Sequence, residues 1–218
     1  MFTGIVQGVA RVVAVRELDD FRVHVVELPP SMREGLEIGA SVAHNGVCLT
    51  VTAIEGDNVS FDLMRETLRL TNLGAVAPGQ CVNIERAARF GDEIGGHSMS
   101  GHIISMAEVV AIEEAPNNRR LWFSIPERLG RFVFEKGYIG VDGISLTIGD
   151  VRHTESSGVE FSVNLIPETL SRTTLQDRAP GDQVNIEIDP QTQVIVETVE
   201  RVLSQKTGFG NSRCSVNN

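Results

Sequence analysis

Short apolar runs alternate with turn-forming residues from the start of the chain. GIVQGVARVVAV (4–15), FRVHVVEL (21–28), SVAH (41–44), VCLTVTAI (47–54), NVSFDLM (58–64) and CVNIE (81–85) are rich in β-branched residues and are separated by Gly, Pro, Asn and Asp clusters. Branched side chains pack well on a pleated surface, so each run reads as a strand. RETLRLTNLG (65–74) breaks the period-two pattern and suits a short helical turn. Six strands and one short helix in under a hundred residues predict a small closed barrel of Greek-key type.

The pattern then repeats. FTGIVQGVARV (2–12) aligns with MSGHIISMAEV (99–109), and NGVCLTV (45–51) with DGISLTI (142–148), both 97 residues on. DLMRETLRLTNL (62–73) aligns with NLIPETLSRTTL (164–175), and APGQCVNIE (77–85) with APGDQVNIE (179–187), both 102 residues on. The five-residue change of register falls between EGDN (55–58) and HTESSG (153–158), where a hairpin loop absorbs it. The expectation is an all-β protein of two homologous six-stranded Greek-key β-barrels in tandem, one over 1–96 and one over 97–190. The boundary falls near 88–97, in the polar, Gly-rich AARFGDEIGGH.

After the second barrel the period changes. In DPQTQVIVETVERVLSQ (189–205), Asp189 can cap a helix whose first residue is Pro190. Ile195, Val199, Val202 and Leu203 share one face, so a C-terminal helix over 191–206 is a candidate oligomer contact. The tail at 207–218 is expected to be disordered.

Composition narrows the function classes. A net charge of −10 with no basic run argues against nucleic-acid binding. No apolar run approaches a membrane span, and the N-terminus lacks the charged start and apolar stretch of a secretory leader. Cys48, Cys81 and Cys214 are odd in number and lack CxxC spacing, which suits reduced thiols in a cytoplasmic protein. Neither a phosphate-binding Gly loop nor a metal-ligand cluster is present, so no cofactor and no metal are expected.

Candidate chemistry gathers on the repeated strand. Cys48 and Thr50 point to one face, and Ser145 and Thr147 repeat that geometry. A lone strand cysteine is more often a small buried hydrophobe. A paired set of hydroxyls on one face needs partners, which a ligand can supply. His97 and His102 are five residues apart, on opposite faces of an extended chain, so they do not share a metal. His102 stands where the first copy has Ile5; it is either a gained proton carrier or an ordinary exposed histidine. Asp189 replaces Ala87 of the first copy, and its helix-cap role needs no chemistry. Phe2 and the following TGIV read as an ordinary edge strand.

MFTGIV (1–6), SVAHNGVCLTVT (41–52), ETLRLTNLG (66–74), GGHSMSGHI (95–103), GVDGISLTI (140–148), LIPETLSRTTL (165–175) and VNIEIDPQTQ (184–193) occur in order. Together they resemble the bacterial alpha-type riboflavin synthase family over residues 1–203. The resemblance implies a cofactor-free transferase that converts two molecules of 6,7-dimethyl-8-ribityllumazine into riboflavin and 5-amino-6-ribitylamino-2,4(1H,3H)-pyrimidinedione. It also implies a homotrimer, with each site between the N-terminal barrel of one subunit and the C-terminal barrel of the next.

The implied substrate-binding residues in the first half are Gly4, Ile5 and Val6; Cys48, Leu49 and Thr50; and Asp62, Leu63, Met64, Arg65, Glu66 and Thr67. In the second half they are Gly101, His102 and Ile103; Lys136; Ser145, Leu146 and Thr147; and Asn164, Leu165, Ile166, Pro167, Glu168 and Thr169. On that likeness His102 assists removal of the acidic 7-methyl proton, with Ser145 and Thr147 orienting or relaying. Cys48, Ser145 or a water adds at C7 of the partner molecule, and Asp189 positions that nucleophile or stabilises positive charge. The rival readings are a non-catalytic lumazine-binding or flavin-binding antenna protein and the flavin-binding barrel of a reductase. The latter calls for a nicotinamide-binding half that the sequence lacks.

Overall fold

A computed structural model of the chain describes residues 1–154 and 158–208. The first half contains β1 (Gly8–Leu18), β2 (Phe21–Glu27), the short helix α1 (Pro30–Arg33), β3 (Ser41–His44), β4 (Val47–Glu55), β5 (Asn58–Met64), α2 (Arg65–Leu70) and β6 (Cys81–Arg86). The second half repeats that order with β7 (Ser105–Ala115), β8 (Asn118–Pro126), α3 (Glu127–Gly130), β9 (Tyr138–Val141), β10 (Ile144–His153), β11 (Gly158–Leu165), α4 (Pro167–Arg172) and β12 (Gln183–Ile188). Helix α5 (Pro190–Gly208) follows, running two residues past the expected end at 206. The rest of the expected tail, 209–218 with Cys214, lies outside the described residues, as do 155–157 of the hairpin.

Each half closes into an antiparallel barrel. The first has the order β1-β2-β5-β4-β3-β6, and the second repeats it strand for strand. Closure needs bent strands, and both halves bend at matching places. The ladder is bulged between Val12 and Ala14 and between Val51 and Ala53. It is bulged again between Val109 and Ala111 and between Ile148 and Val151. A bulge puts an extra residue on one strand and increases its local twist.

Alternation fills the interiors. Val47, Leu49 and Val51 point into the first barrel with Val12, Val26, Phe61, Leu63 and Ile84. Ile144, Leu146 and Ile148 point into the second with Val109, Phe123, Phe161, Val163 and Ile186. Each such side chain contributes roughly 1.5–3 kcal/mol by leaving water. It follows that the Cys48/Thr50 and Ser145/Thr147 faces lie on the barrels' outer walls, not inside them.

The two barrels meet across a polar, nearly twofold seam. Asn83 donates from Nδ2 to the Asp142 carbonyl, and Asn185 donates from Nδ2 to the Asn45 carbonyl, both at 2.9 Å. Their side-chain oxygens accept from the backbone N–H groups of Thr174 (2.8 Å) and Asn72 (2.7 Å). Gly46 and Gly143 bring the two backbones together here. A Cβ on either would fall 2.7 Å from the other's nitrogen.

Candidate active site

The segment that precedes each barrel crosses to the other. Phe2 and Met99 exchange backbone hydrogen bonds of 2.8 and 3.0 Å at the centre of the molecule. Beyond that bridge, Ser145 N–H donates to the Gly4 carbonyl at 2.8 Å, and Val6 joins the second barrel's core. Reciprocally, Cys48 N–H donates to the Gly101 carbonyl at 3.0 Å, and Ile103 packs on the first barrel's core. The expected edge strand at Phe2 is thus corrected: Phe2 is buried beside Met99 and Ala43, because an aromatic ring at a seam between barrels gains more burial than one at an edge.

Glycine makes these crossings possible. Gly4 and Gly101 have φ of +74° and +80°. A Cβ there would lie 2.5 Å from the Cβ of Ser145 or 2.6 Å from that of Cys48. A buried carboxylate anchors each segment. Glu85 accepts from Thr3 N–H (2.6 Å), Thr3 Oγ1 (2.8 Å) and Gly4 N–H (3.1 Å). Glu187 accepts from Ser100 N–H (2.6 Å), Ser100 Oγ (2.8 Å) and Gly101 N–H (3.1 Å). Burial raises the pKa of both carboxyls, and the donated hydrogen bonds oppose that shift.

Against the first barrel this arrangement makes a cleft of about 210 Å³, lined by Val47 and Cys48 of β4, Glu66, Thr67 and Leu70 of α2, Thr71, and the crossing residues Gly101, His102 and Ile103. Glu66 is held by Arg69 through contacts of 3.0 and 2.7 Å, which lower its pKa and keep it ionised. A thiol, an imidazole, a carboxylate and hydroxyls surround aliphatic walls. Such a lining suits a flat heterocycle carrying a polyhydroxyl chain.

The matching position on the second barrel is built differently. Ser145 faces the crossing Gly4, but the linker also lies on it: His97 Nδ1 is 2.7 Å from Ser145 Oγ. The His97 ring stacks on Tyr138 at 5.2 Å and 18°. Burial lowers the His97 pKa, and the Asp189 carboxylate opposes that through space. Gly96 has to be glycine, since its Cβ would fall 2.6 Å from that of Ser145.

The remaining expected residues divide by the direction they face. Leu49, Leu63, Leu146 and Leu165 are core side chains and can offer a ligand only backbone groups. Asp62 and Asn164 point outward and are bonded to Thr52 Oγ1 (3.2 Å) and Asn118 Nδ2 (3.0 Å). Met64, Arg65, Ile166, Pro167 and Glu168 are exposed around the two short helices. Lys136 is exposed, with φ of +68° and its N–H donating to Ile148. Asp189 caps α5, accepting from Gln191 N–H, Thr192 N–H and Thr192 Oγ1.

Within one chain His102 stands beside Cys48, not beside Ser145, so the expected grouping of His102 with Ser145 and Thr147 is exchanged by the crossing. Sequence singles out His97 only as a histidine that shares no metal with His102, and it does not point to Tyr138, Glu85 or Glu187. The available signals were the Gly-Gly pair before His97 and the glutamate repeated in both VNIE blocks.

Known proteins fit this architecture. The model of the family described as the lumazine binding domain matches twice, over residues 3–87 and 100–189, so the fold is a duplicated lumazine-binding domain. The chain is 60% identical to riboflavin synthase of Escherichia coli (strain K12) over 97% of both chains. It is 45% identical to that of Buchnera aphidicola subsp. Schizaphis graminum, over 94% of this chain and 97% of the relative. The crystal structure of LumP complexed with 6,7-dimethyl-8-(1'-D-ribityl) lumazine superposes with a TM-score of 0.75 at 28% identity, covering 86% of this chain and 99% of LumP. LumP complexed with riboflavin gives the same TM-score at 30% identity. The chain belongs to the riboflavin synthase family.

Proposed function

We propose that this chain catalyses the riboflavin synthase reaction. Two molecules of 6,7-dimethyl-8-ribityllumazine react, and a four-carbon unit passes from one to the other. Riboflavin and 5-amino-6-ribitylamino-2,4(1H,3H)-pyrimidinedione are released. Two substrate molecules contain the same atoms as the two products, so the reaction needs no external oxidant or reductant.

The observation that carries this reading is the reciprocal crossing. Gly101–Ile103 crosses to Cys48 and Gly4–Val6 crosses to Ser145, which supports two related but non-identical sites. Holding two like molecules in register replaces a bimolecular encounter, an advantage of about 7–11 kcal/mol in well-oriented systems. His102 assists loss of the 7-methyl proton. Backbone groups of the crossing segments bind the ring edge, and the Thr67 hydroxyl with Glu66 holds the ribityl chain. Ser145, Thr147 and Lys136 form the facing wall. The exposed apolar face of α5, with Ile195, Val199, Val202 and Leu203, supports a homotrimer in which barrels of neighbouring subunits face one another. Cys48 and Cys81, both free among the described residues, support a cytoplasmic location.

The likeness to LumP favours a second reading, a lumazine-binding protein without turnover. Incubating the purified chain with the lumazine alone distinguishes the two. One riboflavin for every two lumazines consumed is expected. A bound lumazine unchanged after prolonged incubation would overturn the proposed reaction.

A further inference from the structure

The two pocket strands carry their polar groups in different settings. Cys48 makes no side-chain hydrogen bond among the described residues and packs beside Phe2, Ala43 and Met99. Ser145, at the repeat-equivalent position, is 2.7 Å from His97 Nδ1. His97 comes from the inter-barrel linker, is only 7% exposed, and is fixed from a second side by its stack on Tyr138.

The surroundings of the ring select its tautomer. Nε2 is buried and meets no hydrogen-bond partner among the described residues. A neutral imidazole carries one N–H. Placed on Nε2, that proton would be a buried donor with no acceptor, the costlier defect; placed on Nδ1, it meets Ser145 Oγ and leaves only a lone pair unsatisfied. Burial keeps the ring neutral. The nearby carboxylate, Asp189, already accepts three hydrogen bonds from the start of α5.

From this geometry we infer that His97 is a positioning residue which, as its Nδ1–H tautomer, donates to Ser145 Oγ and turns the serine's own proton outward as a hydrogen-bond donor to the ligand on the second barrel. The inference rests on the proposed lumazine reaction for its catalytic consequence. An oriented hydroxyl donor stabilises negative charge on the heterocycle at the second barrel as its methyl proton leaves toward His102 at the facing first barrel, and Cys48, with a weak S–H donor and no imidazole bonded to it, offers no equivalent. The two halves are thereby matched to different charge states of one substrate.

Three measurements test this. Nitrogen-15 ring spectra of His97 in the full chain are expected to show the Nδ1–H tautomer, changing in Ser145→Ala. His97→Phe keeps a flat ring on Tyr138 but loses the donor, so kcat is expected to fall about three- to tenfold, the worth of one neutral hydrogen bond, with KM within about twofold. His97→Asn, whose amide nitrogen can take the place of Nδ1, is expected to recover most of that loss. In a Ser145→Ala background, His97→Phe is expected to cost nothing further.

The inference is overturned by an Nε2–H tautomer, by His97→Asn as slow as His97→Phe, or by an undiminished effect in the Ser145→Ala background. If wild-type protein fails to turn over lumazine, the proposed reaction falls. The ring spectra of wild type and Ser145→Ala still decide whether His97 and Ser145 form this pair.

Discussion

The two barrels share strand order, bulge positions and crossing segments, yet two matched interior positions are ionisable in one and aliphatic in the other. In the first barrel His24 and His44 are fully buried, and none of their ring nitrogens meets a hydrogen-bond partner among the described residues. Leu121 and Val141 fill the matching sites 97 residues later, also fully buried. His44 packs edge-on against Phe61 at 4.2 Å, whereas the second core stacks Phe123 near Phe161 at 5.4 Å. The same backbone therefore encloses one core that titrates and one that does not. Duplication conserved the frame, because closure demands it, and left interior chemistry free wherever volume allowed.

Breaking the seam between the barrels has the largest expected effect. Gly46→Ala places a side chain at φ of +81° against the Gly143 backbone, where neither chain can yield. A loss of about 3 kcal/mol or more is expected in denaturant unfolding. Gly56→Ala, at φ of +63° with open space around it, is expected to cost about 1 kcal/mol. Equal losses at the two sites would contradict the close approach.

Acid comes next. Burial lowers the pKa of His24 to about 4 and of His44 to about 3, from 6.5. The unfolded chain thus takes up protons below pH 6.5 that the folded barrel refuses, so stability falls as pH drops from 6.5 toward 4. At pH 5 each histidine removes about 2 kcal/mol relative to neutral pH. The first barrel is expected to lose amide protection before the second. Trp122, the only tryptophan and part of β8, reports on the second barrel by its emission. A His24→Leu/His44→Val variant is expected to flatten the acid dependence, and unchanged acid sensitivity would sink this account.

The pocket strands give a smaller contrast. Ser145→Ala is expected to lower turnover of the lumazine about tenfold and Cys48→Ala less, since only the serine is held by an imidazole. The reverse order in steady-state rates would place the demanding chemistry on the first barrel. Last, Asp189→Ala removes the α5 cap, which has no counterpart at Ala87. About 1 kcal/mol of stability is expected to go, seen as a lower thermal midpoint.

Much of this molecule was legible in the order of its residues. The period-two runs located the six strands of the first barrel, because alternation records which side of a sheet is wet, and the repeat carried them to the second. Two offsets in the repeat exposed the duplication, and DPQTQ announced the cap of α5. The strand motif around Cys48 and Ser145 was likewise readable, as was the divergence of one position from thiol to hydroxyl. Local patterns suffice for these features because their causes are local: pleat, turn and cap.

Other features are decided by contacts between residues far apart in the chain. Phe2 reads as the start of an edge strand, yet it lies buried against Met99 because the segments exchange barrels. His102 reads as a partner of Ser145, yet that exchange sets it beside Cys48. His97 and His102 look alike on paper; one is buried against a serine and a tyrosine, while the other stands exposed at the opposite pocket. Glu85 and Glu187 show in sequence only as a repeated glutamate, and the fold alone shows them gripping the crossing backbone. Periodicity says which face of a strand is dry, but what covers the other face depends on segments that chain closure and burial bring there.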